Sequence, residues 1–262
     1  MDWDFFLKVY TGFWMFLLGS VMGSFLDCLA DRLVRGQSPF RGRSHCDACG
    51  HVLAPRDLIP MVSFLASGGR CRYCSHPIPK ECFWAEGIMA LVFLALGLKI
   101  GLKWQLLMVV ILACVLFAIA LIDWKTHTIP DGALVLLILN RLVFFLCLEG
   151  FSLEGLGRMA IGACSMSVPL LFLSLGMDAL LKKETMGGGD IKLLFVLGMY
   201  LDWLQMLLLI FVACLLALLY YFFRYKKEMR TEIPFGPFLS GAWVVVFLFG
   251  EGFLQWYQSL LF

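Results

Sequence analysis

Residues 105–131 read QLLMVVILACVLFAIALIDWKTHTIPD, and this stretch decides the fold class. From Gln105 to Ile122 no residue carries a charge, a run close to the ~20 apolar residues that a helix needs to cross a bilayer. Asp123 then closes the run and Pro130 forces a break before a new helix begins at Asp131. Runs of the same kind recur at about 11–30, 85–98, 105–122, 133–148, 157–178, 191–201, 203–223 and 237–257, with ends soft by about two to four residues. The composition agrees: of 262 residues 61% are apolar, 15% are charged, and the mean hydropathy is +0.87. A soluble domain averages about a quarter charged residues, so most of this chain is solvated by lipid. The expected fold is an all-α polytopic membrane protein of about eight transmembrane helices. The runs 85–98 and 191–201 are short for a crossing, so each must borrow flanking residues, thin the bilayer or sit inside the bundle.

Charge placement sets the expected topology. Lys plus Arg exceed Asp plus Glu by only two, 21 against 19, which argues neither for a nucleic-acid partner nor for an acidic substrate, and no nucleic-acid partner is expected. Fifteen of those 21 fall on one face: eight in the segment 31–84 (Arg32, Arg35, Arg41, Arg43, Arg56, Arg70, Arg72 and Lys80), then Lys125, Lys182, Lys183, Arg224, Lys226, Lys227 and Arg230. The positive-inside rule puts that face in the cytosol and both termini outside. Acidic Asp2 and Asp4 stand where a signal peptide would be basic, so the first span is expected to stay in the mature protein. The organisation expected is a first helix over 1–30, a cytosolic loop domain over 31–84 and a helical bundle over 85–262.

The loop domain carries Cys46-Asp47-Ala48-Cys49 and Cys71-Arg72-Tyr73-Cys74, the pattern C-x2-C-x21-C-x2-C. Paired knuckles at this spacing suit a tetrahedral four-thiolate Zn²⁺ site, and a reducing cytosol keeps the thiols available. So small a loop holds no core of its own, and the metal would supply its folding free energy. The competing reading is a dithiol redox pair. His45, His51 and His76 flank the knuckles and could substitute as ligands, the blander reading being that they are surface groups or support the ligands. Cys28, Cys82, Cys114, Cys147, Cys164 and Cys214 lie in or beside apolar runs, as packing residues.

Carboxylates at the lipid boundary are costly unless they serve a purpose. Asp123 ends the third span, and Asp190 opens the sixth after Met186-Gly187-Gly188-Gly189. Two crossings lie between them, so both return to one face. Taken alone, GGGD also reads as a helix entry with an acid in the first turn, and Asp131 as a helix-start residue. Two carboxylates at one depth are what aspartyl hydrolysis requires: one takes a proton from water attacking an amide, and its protonated partner binds the carbonyl oxygen. The dipole of each residue's own helix makes Asp190 the base and Asp123 the proton carrier. Glycines lacking side chains leave room for a docking peptide backbone.

Taken together, Gly19-Ser20-Val21-Met22-Gly23-Ser24-Phe25-Leu26, the two knuckles, the string Asp123 to Asp131, Gly187 to Asp190, and Pro234-Phe235-Gly236-Pro237-Phe238 resemble the type IV prepilin peptidases over about residues 15–242. The resemblance implies an intramembrane aspartyl endopeptidase of the GxGD kind in a bacterial inner membrane, with Asp123 and Asp190 catalytic. Its substrates would be prepilins or pseudopilins, cut behind a short basic leader at the cytosolic face. It implies further that the new N-terminal amine is methylated from S-adenosylmethionine, with zinc supporting that half. The chain departs from the family at Asp27, where Asn is common, and at Glu81-Cys82-Phe83, where a stretch like Arg-Tyr-Pro precedes an acid. Glu86 matches, and Asp27 or Glu86 would be the group that deprotonates the amine, the competing reading for both being a salt bridge to basic residues of the loop. Two other classes compete: an ion- or proton-coupled transporter, since paired acids also mark proton relays, and a zinc-containing adaptor. Against the transporter, no internal repeat is visible and both acids lie at one face.

Overall fold

The computed structural model describes residues 3–38, 42–183, 186–224 and 233–261. Arg41, Lys226, Lys227 and Arg230 of the charge count lie outside the described residues. Apart from two isolated bridges, the regular structure is helical: α1 (Trp3–Val34), α2 (Val62–Ala66), α3 (Lys80–Ile100), α4 (Trp104–Thr126), α5 (Asp131–Phe144, running on as a π-turn over Phe145–Glu149), α6 (Leu153–Leu181), α7 (Gly188–Gly198), α8 (Trp203–Arg224) and α9 (Gly236–Leu261). Seven of these are long and apolar enough to cross a membrane. Two compact units divide the chain, residues 1–106 and 107–262.

In the first unit α1 packs along α3, and glycines set the distance. A Cβ on Gly19 would stand 2.5 Å from the Met89 carbonyl oxygen, and one on Gly23 2.6 Å from that of Ala85. These are the small residues of a G-x-x-x-G pair, which lets two helix backbones approach where lipid offers no hydrophobic drive to associate. The expected run 85–98 lengthens to 21 residues by taking in flanking residues at both ends. The polar loop between α1 and α3 is pinned by Asp57, whose carboxylate meets Arg72 at 3.2 Å and accepts from the Tyr73 hydroxyl at 3.1 Å.

In the second unit the short run at 191–201 follows the last of its three expected options. At 11 residues α7 is only about 16 Å long, so it does not bridge a bilayer alone, and among the described residues seven helices rather than eight have crossing length. It lies in the interior: Leu193, Leu194, Val196 and Leu197 are buried among Leu112, Leu116, Leu137, Met206, Leu209 and Trp243. Gly162 of α6 and Gly198 of α7 meet backbone to backbone, each leaving no room for a Cβ on the other. Outward-facing residues such as Phe211 and Phe222, 66% and 75% exposed, form an apolar exterior suited to lipid.

Arg141 is buried on α5, where its charge must be met. Its Nε donates to the Met199 carbonyl at 2.7 Å, its two terminal nitrogens fork onto Glu149 at 2.9 and 3.3 Å, and the guanidinium lies over the Phe144 and Tyr200 rings. Tyr200 donates to the Leu137 carbonyl at 2.6 Å and accepts from Asn140 at 3.1 Å. This network satisfies the backbone just past the end of α7 and fixes that helix from the end remote from Asp190.

Candidate active site and metal centre

The two knuckles are built alike. In the first, the Cys46 N–H donates to the His51 carbonyl (2.9 Å), the Gly50 N–H returns to the Cys46 carbonyl (2.8 Å), and His45 bridges Val52. In the second, Cys71 donates to His76 (2.8 Å), Ser75 returns to Cys71 (2.8 Å), and Arg70 bridges Pro77. Both turns need a left-handed residue after the second cysteine, supplied by Gly50 (φ +69°) and Ser75 (φ +59°). The His51 ring lies 3.6 Å from that of Tyr73, joining the halves.

The result is a cluster in which the four sulfurs lie within 4.8 Å of one another, with Cys46 and Cys74 at 3.8 Å. Thiolates at ~2.3 Å from a tetrahedral ion would be ~3.8 Å apart, so the donor set fits a metal and exceeds what a dithiol pair needs. The sulfur of Cys46 accepts from the N–H groups of Cys49 and Ala48, which lower its pKa to about 7. His51 and His76 serve through their backbone carbonyls, and none of the three flanking histidines joins the cluster.

Asp27 on α1 and Glu86 on α3 are both buried. Glu86 accepts from the Met61 N–H at 2.6 Å, anchoring a loop residue in a left-handed conformation (φ +59°). Beside them the C-terminal half of α1 and the loop from 42 to 60 enclose a cleft of about 400 Å³, bordered by Ser24, Cys28, Arg32, Ser44 and Pro60.

In the second unit, the end of α4 is closed by its own polar residues. The Thr126 hydroxyl donates to the Ile122 carbonyl (2.9 Å) and pairs with Thr128 (2.7 Å), while His127 turns left-handed (φ +54°) and its N–H returns to the Asp123 carbonyl (2.9 Å). Pro130 caps α5, with Asp131 in its first turn as expected, paired at 2.8 Å with Lys192 of α7. Gly187 is the N-cap of α7 and its carbonyl accepts from Asp190, whose carboxylate folds back over Gly187. A Cβ on Gly189 would stand 3.2 Å from Ile129, so the glycine run seats α7 against the α4–α5 link, whereas one on Gly188 would meet nothing.

These contacts set the start of α7, which carries Asp190, beside the link that follows Asp123 at the end of α4. Asp123 is buried and Asp190 half-buried. A third participant went unread in the sequence. The Gly236 N–H, at the start of α9, donates to Asp123 Oδ2 at 2.9 Å. The dipole argument weighed each carboxylate against its own helix only; α9 brings an N-terminus to Asp123, so that argument no longer divides the roles.

Known proteins match along the same lines. Residues 17–100 match the Bacterial Peptidase A24 N-terminal domain and residues 110–222 the Type IV leader peptidase family. A prepilin leader peptidase/N-methyltransferase of Aeromonas hydrophila is 33% identical over 83% of this chain and 75% of its own length. Proteins of the same name from Pseudomonas aeruginosa (32%, covering 92% of this chain and 91% of that protein) and Bacillus subtilis strain 168 (28%, 94% and 97%) align nearly end to end. No solved structure matches. Relatives at this identity and coverage, matching both halves in order, mean that the chain belongs to the type IV leader peptidase family.

Proposed function

We propose that the protein is an integral inner-membrane aspartyl endopeptidase that removes the leader from prepilins or pseudopilins at the cytosolic face and N-methylates the new terminus. The observation that carries the reading is the seating of Gly189 against Ile129, which sets the start of α7, with Asp190, beside the link that follows Asp123 at the end of α4. The two carboxylates share one proton. The ionised one takes a proton from water as its oxygen adds to the scissile carbonyl carbon, and the protonated one hydrogen-bonds the carbonyl oxygen. The C–N bond then breaks, the amine leaves with a proton, and the pair returns to its single shared proton. Gly187, Gly188 and Gly189 supply a stretch without side chains, open above Gly188, along which an extended leader lies. A cytosolic site agrees with Lys125, Lys182 and Lys183 on the same face.

In the first unit Cys46, Cys49, Cys71 and Cys74 hold a structural zinc ion, the choice of metal resting on the all-sulfur donor set. S-adenosylmethionine would supply a methyl group from its sulfonium. The cleft beside α1 is within the ~300–1,000 Å³ of small-molecule sites, with the Arg32 guanidinium suited to a carboxylate. In this reading Asp27 and Glu86 are the residues that hold the substrate amine and take its proton. The relatives that match give the transporter reading no support. Purified protein incubated with a prepilin and S-adenosylmethionine tests the reading by mass spectrometry. A product shortened by its leader and heavier by one methyl is expected; an uncut prepilin sinks the proposal.

A further inference from the structure

The approach of α9 to Asp123 is more specific than a helix end drifting near a carboxylate. In Pro234-Phe235-Gly236-Pro237-Phe238 the two prolines have no N–H, and the Phe238 N–H is used by the Phe235 carbonyl at 3.1 Å. The Gly236 amide is the first-turn donor directed at the carboxylate, reaching Asp123 Oδ2 at 2.9 Å across 113 positions of sequence in a buried setting. A side chain at 236 would crowd the carboxylate that the amide binds. A Cβ at 236 would stand 2.6 Å from the same oxygen and 3.2 Å from Asp123 Cγ. The first turn of α9 is held in place by rings: Phe238 lies 5.6 Å from Tyr220 of α8, and Tyr220 lies 5.3 Å from Trp124, the residue after Asp123.

We propose that Gly236 is a positioning residue for the peptidase reaction: its amide fixes the rotamer of Asp123, and its missing side chain leaves the space in which that carboxylate sits. The inference rests on the peptidase reading and deepens it. Displacing a reacting group by about 1 Å costs roughly 10²-fold, and such a loss falls on the chemical step, not on substrate binding. The test measures kcat and KM for a purified prepilin with full-length protein in detergent. Gly236→Ala should lower kcat about 10²-fold with KM within about twofold of wild type. Gly252→Ala on the same helix, where a Cβ meets nothing, should change neither. If Gly236→Ala does not fold, an amide-to-ester replacement at 236, introduced by nonsense suppression, removes the N–H without adding an atom and should lower kcat alone. A Gly236→Ala or ester variant with wild-type kcat, or with its loss confined to KM, overturns the inference while Asp123→Asn still abolishes cleavage. Normal cleavage by Asp123→Asn would overturn the peptidase reading and this inference with it.

Discussion

The sulfur cluster and the carboxylate pair are assembled at opposite extremes of sequence distance. Each knuckle is closed by hydrogen bonds among residues no further apart than Ser44 to Leu53 or Gly69 to Ile78, and one loop joins the two halves. The carboxylate site is drawn from the end of α4, the start of α7 and the start of α9, and no hydrogen bond within any one of them brings Asp123 to Asp190 or to Gly236. A site of the first kind is specified by its own few residues plus a metal. A site of the second kind is specified by helix packing, so glycines remote from the chemistry control it.

The largest effect separates the two regions. On the proposed mechanism Asp123→Asn or Asp190→Asn should lower cleavage by roughly 10³-fold, because each would remove a group that holds or takes a proton, and zinc content by elemental analysis should stay at the one per chain proposed above. A variant losing both zinc and activity would mean that the regions are not independent. The converse variant, Cys46→Ser with Cys74→Ser, should lose the metal and with it methylation. Metal binding supplies on the order of 10 kcal/mol to small domains of this kind. Cleavage should persist in that variant, and under chelation, at close to the wild-type rate; loss of cleavage on chelation would break the comparison.

Packing glycines come next. Gly162→Leu drives a side chain into the backbone at Gly198, the end of α7, and at Leu201 just beyond it, at a cost of about 1–3 kcal/mol or more. It should reduce cleavage sharply while leaving zinc affinity unchanged. Gly19→Leu, facing α3 at Met89 and Ala90, should lower the thermal stability of the first unit by a similar amount. Melting followed by tryptophan fluorescence, with cleavage and zinc retention measured in parallel, assigns each loss to its unit.

The contrast also accounts for what the sequence disclosed. Both knuckles were legible because ligand type and spacing state the geometry locally, and the spans because lipid imposes length and hydropathy. The carboxylates were legible as a pair through a topological count, although the sixth run proved to be a short helix buried in its bundle. Gly236 was not legible as a partner, since nothing near position 236 names position 123. The G-x-x-x-G spacing of Gly19 and Gly23 was there to be read, but it becomes a contact only once α3 is known to lie against it. Glu86 shows the same limit: its burial and its bond to the Met61 N–H follow from a loop conformation that no local pattern announces.

The smallest effect tests how local the knuckles are. Gly50 and Ser75 occupy equivalent left-handed positions, yet only glycine holds that conformation without steric penalty. Ser75→Gly should relieve about 0.5–1 kcal/mol in the folded, metal-bound loop, partly offset by the greater freedom of glycine when the loop is open. Gly50→Ala should introduce a strain of about the same size. If the loop folds only around its metal, both changes appear as zinc affinity: competition against a chromophoric chelator should give binding up to about fivefold tighter for Ser75→Gly and correspondingly weaker for Gly50→Ala. Equal and unchanged affinities would mean that the turns are formed before the metal arrives, and that the loop is ordered by Asp57, Arg72 and the helices flanking it rather than by its four sulfurs.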